Sequence, residues 1–369
     1  MESPAASTPR QRQFPCKDCG ANLVFAPGTN ALTCPYCGAA NEIESADAIV
    51  EELDFHHHLS ELAGQEATEE RVTVRCNTCG AETTLAANRT ADRCPFCGSG
   101  IVAQAVCRKL IKPRSLLPFR ITHTEAANAF RQWIASLWFA PSELKNRADR
   151  EQINGVYIPC WTYDAQTTSH YTGQRGEDYW VTESYTAYEN GKHVTRTRQV
   201  KHTNWYPASG IVDVPFDDLL VLASRSLPSG YAEKLEPWDL GQLTPYRDEY
   251  LSGFVAESYQ VDLAQGFDIA KGMMEPAIHS AIRRDIGGDQ QRIHSVDTRY
   301  SDVTFKHALL PIWISAYRYQ DKVYRFLINA RTGEVQGERP WSWVKITLAV
   351  LAGLLIALIV LMISSGGRF

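Results

Sequence analysis

The 369-residue sequence predicts a chain in three parts: two small β-rich ribbons built on cysteines, an α+β region of antiparallel, aromatic-rich sheets, and a C-terminal transmembrane helix. Three observations predict it. One four-cysteine pattern occurs twice, as Cys16-x2-Cys19-x14-Cys34-x2-Cys37 and, 60 residues later, as Cys76-x2-Cys79-x14-Cys94-x2-Cys97. Between about residues 113 and 338, segments of helical period alternate with strand-period segments rich in Tyr, Thr and Trp. Residues 346–363, ITLAVLAGLLIALIVLMI, run for 18 positions without a charge.

The ribbons come first. Both copies open on Cys-x-x-Cys-Gly-Ala (Gly20-Ala21, Gly80-Ala81) and close on Cys-Pro-aromatic-Cys-Gly (Pro35-Tyr36 with Gly38, Pro95-Phe96 with Gly98). Two cysteines three apart on a tight turn aim both sulfurs at one point, and the glycine lets the backbone fold back beneath it. Four thiolates make a closed tetrahedral zinc site. Cys16, Cys19, Cys34 and Cys37 are therefore assigned to one Zn2+ in a ribbon over residues 1–41, and Cys76, Cys79, Cys94 and Cys97 to a second over residues 71–104. Such a site leaves no position for water, so both ions are structural rather than catalytic. Thiolate ligands place this half of the chain in a reducing compartment. The remaining cysteines, Cys107 and Cys160, read as small buried residues.

Residues 42–70 join the ribbons as an acidic linker, with ten Asp and Glu and no Lys or Arg. Leu53, Phe55, Leu59 and Leu62 fit a short amphipathic helix that contains His56-His57-His58. With both four-cysteine sites complete, the histidine triplet is read as a solvated run rather than a third metal site.

In the region 113–338, Pro113 to Pro118 is a stiff connector and Thr122-x-x-Glu125 a capping box. Phe130, Trp133, Ile134 and Leu137 continue the helix. Strand period begins at Val156, and Asn190-Gly191 predicts a hairpin between runs 179–188 and 193–203. Residues 214–225 form a further element of open type. A long helix follows Asp262, with Leu263, Phe267, Ala270, Met274, Ile278 and Ile282 on one face, and Ile286-Gly287-Gly288-Asp289 stops it. Strands return at 303–319 and 322–329, and residues 329–335 make a tight turn. Ile158-Pro159-Cys160-Trp161 and Leu310-Pro311-Ile312-Trp313 stand in similar contexts. They are read either as a duplication into two helix-plus-sheet units, about 113–225 and 226–338, or as an accidental match of two common strand words.

As a helix, 346–363 spans about 27 Å at 1.5 Å per residue, close to the hydrocarbon thickness of a bilayer. Trp341, Trp343 and Lys345 precede it as interfacial residues should. With six residues following and a polar N-terminus unlike a signal peptide, the expectation is a single-pass, tail-anchored chain with its bulk in the cytosol.

The sequence carries no G-x-x-x-x-G-K-[ST] phosphate loop and no H-E-x-x-H, so helicase and zinc-peptidase chemistry lack a motif. Asp217-Asp218 could serve as a metal or acid/base pair, whereas His279 and His294 lack a nucleophile at any recognisable spacing and read as exposed or core-satisfied histidines, so no catalytic residue is assigned. Neighbouring residues on a strand face opposite ways, so Asp217 and Asp218 share a site only if the local turn is special. Residues 1–104 hold seven Lys and Arg against fourteen Asp and Glu, a net of −7. Eight thiolates and two divalent ions add −4, for about −11. Affinity for a phosphate backbone comes largely from basic contacts, so protein partners are favoured over nucleic acid, with Arg71, Arg75, Arg89 and Arg93 as one local basic patch.

Both ribbons, Trp138-Phe-Ala-Pro141, Gly155-Val-Tyr-Ile-Pro-Cys-Trp-Thr-Tyr-Asp164 and Phe216-Asp-Asp-Leu-Leu-Val221 together resemble a bacterial family of double-zinc-ribbon, membrane-anchored proteins (TFIIB-type zinc ribbon). The likeness continues through Ile286-Gly-Gly-Asp-Gln290, Thr304-Phe-Lys-His307 and Thr332-Gly-Glu-Val-Gln-Gly-Glu-Arg-Pro340. Members are often labelled primosomal protein N′ or helicase-like, a label no motif here supports. The resemblance implies a platform at the bacterial cytoplasmic membrane, associated with phage-shock-type and SPFH or virion-core-like membrane-stress proteins. The expectation is a non-enzymatic adaptor whose partners are the lipid bilayer, through 346–363, and proteins recruited by the ribbons and the α+β region. A membrane-tethered nucleic-acid-binding protein and an enzyme with an unrecognised site are the alternatives.

Overall fold

A computed structural model of the protein describes residues 14–44, 50–63, 69–84, 94–99, 104–141, 153–189, 191–227, 230–231, 233–319 and 322–366. Its frame is three very long antiparallel strands: β9 (Asn154–Glu189) lies between β10 (Lys192–Leu222) and β13 (Gln290–Tyr319). Sequence patterning predicts only short pieces of these strands, because glycine and proline interrupt them. In the fold those residues meet strand requirements. A Cβ at Gly173 would lie 2.3 Å from the Arg292 carbonyl oxygen, so glycine permits the close approach of β13. Pro207 and Pro215 sit on β10, which pairs only with β9 among the described residues and leaves one edge where a missing N–H is harmless. The open-type segment 214–225 is the end of β10 followed by a turn.

The helices follow their periodicity. Before β9, α2 (His123–Ser136) carries the Thr122/Glu125 capping box and buries Phe130 and Ile134. After Asp262, which caps it through the Gln265 N–H, α3 (Leu263–Ile286) buries the whole predicted stripe against Trp161, Tyr163, Tyr171 and Phe305 of the long strands. Gly287 and Gly288, at φ 64° and 74°, end α3 and deliver the chain into β13. A hairpin joins β13 to β14 (Lys322–Asn329), and the Asn329 side chain accepts from the Arg331 and Thr332 amides to turn the chain into β15 (Val335–Gly337). The two proline words face each other on neighbouring strands, with Ile158 opposite Leu310, Pro159 opposite Leu309 and Pro311 opposite Tyr157.

The ribbons share the core of this body. Ribbon 1 is a three-stranded antiparallel sheet, β1 (Val24–Phe25), β2 (Ala31–Thr33) and β3 (Ala40–Glu42), and Phe25 packs on Tyr250 and Phe254. In ribbon 2, β5 (Glu69–Arg75), β6 (Glu82–Thr84) and β7 (Gln104–Leu110) join the large sheet, because β6 pairs with β12 (Val255–Glu257), which pairs with β9. Thirty residues cannot build a core alone, and these borrow one.

The acidic segment between the ribbons is woven in rather than free. Its β4 (Leu53–Asp54) pairs with β13, and Phe55 at the start of α1 (Phe55–Ala63) is buried against Tyr163 and Phe267. The histidine triplet is correspondingly not a solvated run throughout: His56 and His57 are exposed, but His58 is buried against Phe305, and burial lowers its pKa. Cys160 is a buried free thiol whose pKa burial raises. The side chain of Cys107 lies outside the described residues.

At the far end, α4 (Trp343–Gly366) contains 19 residues, Trp343–Leu361, long and apolar enough to cross a membrane, and none of them is buried by the other described residues. This is the single such helix among the described residues.

Candidate metal centres

Each cysteine pair sits in the same turn. The Gly20 N–H donates to the Cys16 carbonyl at 2.9 Å and the Cys16 N–H to the Ala21 carbonyl at 2.7 Å. The same two bonds recur at Cys34, Cys76 and Cys94. Gly20, Gly38, Gly80 and Gly98 have φ between 69° and 77°, the left-handed region where a side chain is strained, which is why each motif needs its glycine.

The turns bring four sulfurs together in each ribbon, all within 4.8 Å of one another. Contacts run across the two turns: Cys16 to Cys37 at 3.6 Å and Cys19 to Cys34 at 3.5 Å, then Cys76 to Cys97 at 3.7 Å and Cys79 to Cys94 at 3.6 Å. A disulfide needs about 2 Å between sulfurs, and these cysteines are free. A tetrahedron with metal–sulfur bonds of about 2.3 Å has edges of about 3.8 Å. The donor set and its spacing fit a tetrahedral four-thiolate ion in both ribbons. Sharing of hydrogen bonds splits the thiols within each ribbon: against the Ala39 amide, Cys34 and Cys16 push the Cys37 thiol up to about 12, and the thiols of Cys19, Cys94 and Cys97 are raised, while those of Cys34, Cys76 and Cys79 are lowered. The amides of Cys37 and Tyr36 hold the Cys34 thiol down to about 6, and a hydrogen bond from Cys94, aided by the Ala81 amide and opposed by burial, holds Cys79 down to about 5.

The two centres differ in surroundings. Tyr36 of ribbon 1 is 83% exposed, whereas Phe96 at the equivalent position of ribbon 2 is fully buried. The Ser99 hydroxyl lies 3.0 Å from the Cys97 sulfur and 3.4 Å from that of Cys76, where ribbon 1 has Ala39. Beside this second centre Glu257 is buried, and burial pushes its carboxyl up to about 8 against a hydrogen bond from Ser226. Gln260 links that carboxylate to the Gly80 carbonyl of the ribbon turn.

The other candidate residues are not gathered into one site. His279 lies on α3, 3.8 Å from Glu275, and His294 is exposed on β13. Asp217 and Asp218 do occupy a special turn, a bulge between Phe216 and Leu219 in which Asp218 has φ 50°. A matching bulge in β13 puts Asp302 at φ 50°, and both open beside Asp164 of β9. There Lys306, nearly buried, places Nζ 2.6 Å from Asp218, 3.0 Å from Glu52 and 4.0 Å from Asp164. Asp164 also accepts from the Asp218 amide and the Thr304 hydroxyl. Burial raises the Asp164 carboxyl, the Lys306 hydrogen bond lowers Glu52, and the carboxylates hold the Lys306 ammonium above its usual range against desolvation. This cluster is missed by motif reasoning; its signal is charge inside apolar strand words, Trp161-Thr-Tyr-Asp164 and Phe305-Lys306-His307. It ties the inter-ribbon segment to the strands and presents a neutralised cation rather than an open reagent.

Of the local basic patch, Arg75 lies 3.9 Å from Glu82, while Arg89, Arg93 and the Arg71 side chain lie outside the described residues.

The chain is 25% identical over 360 residues to the uncharacterized protein YdjG of Bacillus subtilis (strain 168), a match covering 96% of this chain and 99% of that protein. No protein-family model matches the sequence. No solved structure matches it.

Proposed function

We propose that this protein is a non-enzymatic membrane adaptor. Its two four-cysteine centres hold structural zinc, α4 crosses the cytoplasmic membrane of a bacterium, and the folded body faces the cytosol to recruit protein partners. Zinc suits four thiolates at these spacings and leaves no open coordination position, so its contribution is to folding. The uncovered apolar surface of α4 supports the anchor. Duplication of the α+β region is supported by the facing proline words and the paired bulges at Asp218 and Asp302.

The observation that carries recruitment is an arm. Beyond the last pair with β13, Gln290 opposite Gly176, β9 and β10 pair only with each other among the described residues, as far as the turn at residue 191. Thirteen residues per strand at about 3.3 Å each make a two-stranded ribbon about 40 Å long. Trp180 and Tyr188 on one face are 63% and 69% exposed, and Tyr179, Val181 and Tyr185 on the other are about 40% exposed. A two-stranded ribbon is marginal by itself, and exposed apolar clusters mark interaction surfaces. Membership of a membrane-stress system, by the family resemblance, is part of the same proposal.

The test is affinity capture with the full chain from solubilised membranes, beside a Trp180→Ser/Tyr188→Ser double variant. The expected result is a protein captured by the wild type and lost by the variant, with zinc content unchanged in both. Identical captured sets would remove the arm as the recruiting surface. Submicromolar, salt-sensitive nucleic-acid binding without a captured protein would put the nucleic-acid alternative first.

A further inference from the structure

We infer that the protein carries a binding site for the phosphate of an anionic phospholipid headgroup, in the cavity at the base of α4. This rests on the reading of α4 as a membrane span.

The base of α4 is fixed to the body. The Ser342 N–H donates to the Phe139 carbonyl at 2.8 Å, and Lys345 Nζ donates to the Ala140 carbonyl at 2.7 Å. These bonds hold the segment after α2 level with the first turn of α4. Trp138 and Trp343, 81% and 77% exposed, flank these tied residues, and the Phe139 and Trp341 rings lie 6.5 Å apart. Four aromatic side chains around the start of an apolar helix are the composition of a membrane–water interface.

A cavity of about 650 Å³ opens at the same place, within the size range of ligand sites. Trp133 of α2, Leu137 just after it and Trp341 supply its apolar wall. Lys322, the first residue of β14, and Arg339 supply two cations. The Arg339 guanidinium stacks 4.5 Å from the Trp341 ring. Neither cation has a carboxylate partner among the described residues. The one carboxylate in the wall, Glu338, accepts from the Arg325 amide at 3.2 Å. Two donors with net positive charge, an apolar wall and a position level with the headgroups suit a phosphodiester whose acyl chains remain in the bilayer. An anionic headgroup leaves that charge uncompensated by any cation of its own, so it is favoured over a zwitterionic one.

The test uses the full chain in detergent micelles doped with phosphatidylglycerol or phosphatidylcholine, with bound lipid read by native mass spectrometry. The wild type should retain phosphatidylglycerol in preference. A Lys322→Gln/Arg339→Gln variant should bind it about 30-fold more weakly, about fivefold per charge. Arg299→Gln, an exposed charge on β13, should change nothing. Inorganic phosphate at millimolar concentration should not displace the lipid; displacement would assign the site to a free anion and overturn the inference. Equal retention of both lipids, or a double variant as selective as the wild type, would also overturn it. Carbonate-washed membranes separate the two readings. Wild type retained there but unselective for lipid overturns this inference alone, and wild type released overturns the anchor and this site together.

Discussion

Replacing Lys306 by Met tests how the segment between the ribbons is held to the long strands. Methionine keeps most of the apolar stem and removes the charge. The Lys306 side chain is 9% exposed and sits 2.6 Å from Asp218 and 3.0 Å from Glu52. Breaking a buried ion pair costs about 3–5 kcal/mol. Asp218 and Glu52 are 33% and 45% exposed, so solvent screens much of the effect, and the expected loss is about 2–3 kcal/mol. The pH dependence gives the reasoning its sign. The folded Glu52 carboxyl is depressed, so its contribution is present above its unfolded pKa and lost as pH falls through the folded value. The folded Lys306 ammonium is raised, so its contribution is present below its unfolded pKa and lost as pH rises through the folded value. At neutral pH both are present in the wild type. In the variant, Glu52 and Asp164 face each other and Asp218 without a cation, and protonation of Glu52 or Asp164 relieves the repulsion. The deficit should therefore be largest near pH 7.5 and shrink toward pH 4.5. Thermal unfolding of the full chain in mild detergent, followed by circular dichroism, should show a Tm lower by roughly 5 °C at the higher pH. A loss below about 0.5 kcal/mol, within the range of ordinary surface changes, or one equal at both pH values, would refute the reasoning.

Metal analysis of the full chain should give two zinc ions per molecule, and a Cys34→Ser/Cys37→Ser variant should keep one; iron, or no tightly held metal, would contradict the assignment. The ribbons should respond unequally at their equivalent aromatic positions. Phe96→Ala, at a fully buried site, should cost about 3–5 kcal/mol in denaturant unfolding, whereas Tyr36→Ala, at a site 83% exposed, should stay within about 0.5 kcal/mol; equal losses would show that ribbon 2 does not depend on the body's core. A chain ending at Pro340 should pass from carbonate-washed membranes to the soluble fraction, and its retention there would assign anchoring to another surface.

The sequence by itself determined what depends on short-range chemistry. Four cysteines at repeated spacing and the glycine after each pair specify the metal turns, because a local backbone conformation aims the sulfurs. The capping box at Thr122 and the stripe from Leu263 to Ile282 specify their helices, because a period of 3.6 repeats within one element. The apolar run at 346–363 specifies a helix, and the described residues leave its Trp343–Leu361 stretch unburied. Tertiary structure alone decided the rest. Strand ends were illegible because Gly173 and Gly176 look like breakers until β13 lies against them. The acidic segment reads as a linker with a short amphipathic helix and a solvated histidine triplet, because nothing local names the surface that helix meets; pairing with β13 and packing on Phe305 draw Leu53, Phe55 and His58 onto the core. Lys306, Asp218, Glu52 and Asp164 come from four separate segments and meet only where two bulges flank one strand. Their meeting is a long-range fact, since ion pairing and burial depend on distance in space, which local patterning does not encode.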